Sequence, residues 1–152
     1  MPSREVLGVL RRHFHEPDLV ERLARFEGFS SQIALKPFAW GRDDCSLLVA
    51  DWVIANGYAD PAAHLRGTYA DEASCMTIVE SAGGLVPLFG DCLAQVGLSP
   101  AHEPRFGAVA VIGARSDIHR QWGAIWNGRA WLARFQDGFQ LFTARPLAMW
   151  SV

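Results

Sequence analysis

The apolar period of this 152-residue chain changes once, near Gly107. Before that point, apolar residues recur at spacings of three and four, as on one face of a helix. After it come short apolar runs punctuated by turn residues. Residues 108–112 read as a valine-rich buried strand, and residues 113–119 as a polar loop. Residues 121–126, 129–135 and 139–143 read as three more strands. Asn127-Gly128 and Asp137-Gly138 are predicted as the two-residue turns between them, and residues 148–152 as a last edge strand. Helices first and an antiparallel sheet last define an α+β chain, with N-terminal helices packed on a C-terminal sheet.

Within the helical half, residues 3–14 read as a short helix capped by Ser3, with Val6, Leu7, Val9, Leu10 and Phe14 on its apolar side. A second helix starts at Pro17-Asp18. Its predicted apolar face is Leu19, Val20, Leu23 and Phe26, with Glu21, Arg22 and Arg25 facing water and Gly28 ending or bending it. Residues 60–69 read as a connector, and residues 71–81 and 85–96 as two further helices closed by Gly83-Gly84 and Gly97. Residues 99–107 read as loop.

The length is that of one domain. Half the residues are hydrophobic, and six Trp and nine Phe supply enough apolar area for a core without disulfide or metal staples. The net charge is −2 and Lys36 is the only lysine, which argues against a nucleic-acid interface. The first eighteen residues carry charges throughout and lack the apolar core of a secretory signal. No run approaches the roughly 18 apolar residues of a membrane span. The expectation is synthesis in the cytoplasm, without membrane insertion.

Cys45, Cys75 and Cys92 form no C-x-x-C pair and no zinc-ligand spacing. Neither a Walker loop nor a G-x-G-x-x-G is present, so no cofactor or metal is expected. His13 and His15, two apart on a predicted helix, do not share a face, and His64 and His102 fall in predicted loops.

Cys45 occupies a distinct position. Trp40-Gly41 forms a turn, Asp43 or Asp44 can cap the next helix, and Cys45, Leu48, Val49, Trp52 and Val53 fall on one helical face that ends at Asn56-Gly57. A thiol there is ordinarily core. A helix N-terminus also favours the thiolate and offers N–H groups for an oxyanion, so a nucleophile is the other reading. Asp43 and Asp44 oppose the thiolate, and a base must then come from elsewhere.

Trp40-Gly41 followed by Asp44-Cys45-Ser46 resembles the NlpC-type cysteine peptidases, a papain-like family that cuts peptidoglycan stem peptides. Residues 106–111 stand where the family has a Gly-Asp strand, and Gln121-Trp122-Gly123-Ala124-Ile125 where it has the histidine strand. Val49-Ala50-Asp51-Trp52, Gly83-Gly84-Leu85 and Ala148-Met149-Trp150 are similar to the small version encoded near phage tail-tip genes. The resemblance covers roughly residues 38–135. It implies a papain-like core over residues 37–152 and a helical extension over residues 1–36.

It also implies a site built on Cys45. Ala108 replaces the family's aspartate, Gln121 stands at the base position, and the third position falls near Ala133 or Arg134. Glutamine does not accept a proton at neutral pH. His119, two residues earlier, would share the Gln121 face if the strand extended backward.

Two functions follow as expectations. One is a virion tail-tip component that keeps the peptidase fold, partnered by tail-tip hub proteins and by peptidoglycan peptide. The other is an active cytosolic or lytic cysteine peptidase or amidase. Trp122, Trp126 and Trp131, with Arg129 and Arg134, divide between core packing and a docking face. Asp51 is expected on the surface or paired with an arginine of the sheet.

Overall fold

The computed structural model describes residues 17–152, and side chains from residue 19 onward. The helix expected over residues 3–14, and His13 and His15, lie outside the described residues. The described chain is α+β: helices α1 (Pro17–Ala34), α2 (Cys45–Ala55), α3 (Glu72–Ser81) and α4 (Leu85–Gln95) precede strands β1 (Val109–Gly113), β2 (Gln121–Trp126), β3 (Trp131–Phe135), β4 (Gly138–Phe142) and β5 (Ala148–Trp150). The strands form one antiparallel sheet in the order β4-β3-β2-β1-β5. Among the described residues no single helix is long and apolar enough to cross a membrane; α3 and α4 together meet the length but are bent by 74°.

Strand alternation divides the apolar residues between the two faces of the sheet. Val109, Val111, Ile125 and Trp150 join Leu48, Val49, Trp52, Phe89 and Leu93 of the helices in the larger core. Ala110, Ile112, Trp122, Ala124, Trp131, Ala133 and Met149 form a second cluster, with Phe135 and Phe142 packed on it. Trp122 sits edge-on to Phe135 and tilted on Phe142, at centroid distances of 5.4 and 5.2 Å. Trp122 and Trp131 are thus core, and Trp126 is half-buried beside Trp131. Arg134 is buried as well; its Nη2 donates to the Lys36 carbonyl, and its guanidinium lies over the Phe139 ring.

Trp52 joins the layers. It is fully buried, its Nε1 donates to the Gly107 carbonyl at 2.8 Å, and Phe26 and Phe29 of α1 pack on its ring at 5.4 and 5.3 Å. That contact decides how α1 is rotated: of the expected face it keeps Phe26 and turns the other three residues out. Leu19, Val20 and Leu23 are exposed, while Phe29 and Ile33 are buried. Arg22 turns inward, donating to the carbonyls of Phe106 (2.9 Å) and Val152. The helix runs through Gly28 because the next two turns carry its buried anchors, which outweigh the roughly 1 kcal/mol that an interior glycine costs.

The hairpin turns sit one residue away from the expected positions. Trp126 pairs with Trp131, and the Asn127 N–H donates to the Ala130 carbonyl, so Gly128 and Arg129 are the central residues. Asn127 instead uses its side chain, accepting from the Arg129 and Ala130 N–H groups at 2.9 and 2.8 Å. Gly128 takes the positive φ of +96°. Likewise Phe135 pairs with Gly138, which places Gln136 and Asp137 in the second turn.

Candidate active site

Asp44 organises the start of α2. Its side chain is 1% exposed, and as N-cap it accepts from the N–H groups of Ser46 (3.1 Å) and Leu47 (2.9 Å) through Oδ1. Oδ2 accepts from the Gly41 N–H at 2.9 Å and from the Tyr69 hydroxyl at 2.5 Å. Of the two aspartates in the sequence, therefore, the second is the cap. One buried carboxylate ties together the Trp40-Gly41 turn, the helix start and the connector 25 residues on. The Gly67 N–H adds a 3.0 Å bond to the Gly41 carbonyl. Gly41 has φ +79°, and a Cβ there would lie 2.1 Å from the Tyr69 carbonyl oxygen. Tyr69 was invisible to sequence reasoning, because neither a period nor a motif links it to residue 44.

Cys45 follows, half-buried, and packs against the second aromatic cluster. Burial pushes its thiol pKa up to about 12; the Asp44 charge adds to that, and a hydrogen bond with Ser46 opposes it. Cys75 contributes in the raising direction, and its own thiol is pushed up to about 11 by burial and by Asp44. Tyr69 is also raised, by burial and then by its bond to Asp44. At neutral pH all three are therefore neutral. The helix N-terminus does not win, because the N–H groups of Ser46 and Leu47 already serve Asp44.

The helix lies close over β2. A Cβ at Gly123 would meet Phe89 Cζ at 2.9 Å, Val49 Cγ2 at 3.0 Å and the Cys45 carbonyl oxygen at 3.1 Å. Strand alternation puts Gln121 on the same face of β2 as Gly123. Gln121 is half-buried, pairs with Gly113 at the end of the ladder, and donates through Nε2 to the Ile118 carbonyl at 2.9 Å.

His119 is placed differently from the backward-extended strand. The ladder stops at Gln121, and His119 is exposed in the loop before it, its N–H bound to Asp117 Oδ1 at 3.0 Å. The Arg120 N–H bonds the Asp117 carbonyl and the Ala114 N–H bonds the Arg120 carbonyl, which closes that loop on itself. Among the described residues no imidazole is among the groups that shift the Cys45 thiol.

Asp51 pairs with Arg66 of the connector at 2.8 Å rather than with an arginine of the sheet, and Asp60 holds the same guanidinium at 2.7 Å. Among the described residues no group of three or more His, Cys, Asp or Glu side chains could hold a metal ion.

The fold and site define an α+β protein with a protonated thiol at the head of a helix laid across an antiparallel sheet. Residues 19–152 match the family described as a domain of unknown function (DUF6950), and the chain belongs to that family. No curated protein and no solved structure matches it.

Proposed function

We propose that the chain is a tail-tip component of a phage or phage-like particle, built on an NlpC-type, papain-like fold whose cleft keeps Cys45 without a working base. Its partners on this reading are tail-tip hub proteins, and its ligand class is the peptidoglycan stem peptide. The observation that carries it is the sequence pattern shared with the small tail-tip version, with Gln121 where the resemblance places the base; burial and the Asp44 charge, which push the Cys45 thiol up, go with it. A glutamine can hydrogen-bond a bound carbonyl but cannot take the thiol proton. The Trp40-Gly41 and Asp44-Cys45-Ser46 pattern supports the fold assignment.

A second reading, a lytic cysteine peptidase or amidase, draws on one observation: His119 is exposed on the loop leading directly into β2. Incubating purified peptidoglycan with wild type, Cys45→Ala and His119→Ala separates the two. Release of stem peptides by wild type and by neither variant supports the peptidase and overturns the proposal. No release by any of them is the expected result. Mass spectrometry of purified particles tests the location, since a chain confined to the lysate and missing from particles overturns the tail-tip assignment. Gln121→His tests the register of the resemblance: faster alkylation of Cys45 by iodoacetamide is expected where position 121 reaches the thiol, and an unchanged rate counts against placing the family's base position there.

A further inference from the structure

On the side of α2 away from the sheet lies a small, partly open recess of about 50 Å³. Four elements wall it. Leu47 and Ala50 come from α2, Ala62 and Tyr69 from the connector, Cys75 and Ile78 from α3, and Phe89 and Leu93 from α4. Protein interiors are close-packed, and an apolar void forfeits dispersion contacts on every wall. Two of the buried wall residues, Ala50 and Ala62, are alanines, where larger apolar residues would take up part of the space.

The state of α3 is an independent sign that the space is meant to be filled. None of its ten side chains is buried, although Cys75, Ile78 and Val79 all line the recess. An occupant would bury them. The polar groups narrow its chemistry. The Tyr69 hydroxyl is committed to Asp44, so it can only accept a further bond, and Ser46 at the rim is the remaining hydroxyl. The Asp44 carboxylate behind Tyr69 disfavours an anion.

We propose that this recess binds a small neutral aliphatic ligand, an alkyl chain with an uncharged alcohol or amide head near Ser46. The site shares Ser46 with the surroundings of Cys45 but does not depend on the function proposed above. The test uses the full chain with 1-octanol, octanamide and octanoate as probes. Alkylation of Cys75 by N-ethylmaleimide in mildly alkaline buffer is followed by site-resolved mass spectrometry. Protection of about tenfold is expected at a probe concentration about ten times its Kd, by mass action. Octanoate should protect less than octanamide. Ala62→Phe, which takes up part of the space, should abolish the effect. Ile78→Trp on the half-exposed wall does the same if the first variant fails to fold. Unchanged Cys75 alkylation at saturating octanol and octanamide overturns the proposal. Equal protection in a folded Ala62→Phe, or equal affinity for octanoate and octanamide, overturns it as well.

Discussion

Gly41→Ala is the sharpest test of the lock around Asp44. Two costs add. Alanine at φ +79° loses roughly 1–2 kcal/mol to its own backbone sterics. Its Cβ would also lie 2.1 Å from the Tyr69 carbonyl oxygen, about an ångström inside contact distance. The obstacle is backbone, so the connector or the turn must shift. Such a shift breaks the Gly67–Gly41 bond, the Tyr69–Asp44 bond, or both. One or two lost bonds contribute about 1–3 kcal/mol more, which brings the total to about 4 kcal/mol.

Gly57→Ala is the control. Its φ is +93°, yet nothing lies within 4 Å of the added Cβ, so only the backbone cost applies. Both variants gain the same reduction in unfolded-state entropy, which cancels in the comparison. Urea unfolding followed by tryptophan fluorescence gives the two free energies. Gly41→Ala should be the less stable by about 1–3 kcal/mol at an unchanged m-value. A difference below roughly 1 kcal/mol would refute the idea that one glycine holds the connector against the helix start.

Three further outcomes are expected. Tyr69→Phe keeps the ring but leaves Asp44 short of a charge-assisted bond, and should lower stability by about 1.5–3 kcal/mol in the same unfolding assay. Stability should fall on the alkaline side: Cys45 and Cys75 have ordinary values of 9.0 but are held near 12 and 11 when folded, so the unfolded chain loses its protons first and stability declines from about pH 9 toward 12. Cys45→Ser should flatten that decline, and a pH series of unfolding midpoints reads it. Gly123→Ala should cost about 1–3 kcal/mol by overpacking, since its methyl would press on Phe89, Val49 and the Cys45 carbonyl at once. Thermal unfolding checks that value.

What the sequence made legible was local. The period change near Gly107 located the strands, and the Trp-Gly, Asp-Cys-Ser pattern located α2 to within a residue of its observed start. What it hid was settled by partners distant in the chain. The apolar face read for α1 was Leu19, Val20, Leu23 and Phe26; packing on Trp52 keeps Phe26, adds Phe29 and leaves the other three exposed. Tyr69 reaches Asp44 across 25 residues with no repeating signal to announce it.

The strand before the candidate base is the most instructive case. Sequence alone permitted β2 to run back to His119, because residues two apart share a face. The ladder instead closes with Gly113 paired to Gln121, and Asp117 holds the loop beyond it through the His119 N–H. That one local bond removes His119 from the period. Gly123 is pressed against the Cys45 carbonyl, which fixes the helix-facing side of β2, and alternation then assigns position 121 to the same side. The Cys45 thiol stays neutral for a reason set at the helix start instead, its burial and then the Asp44 charge beside it.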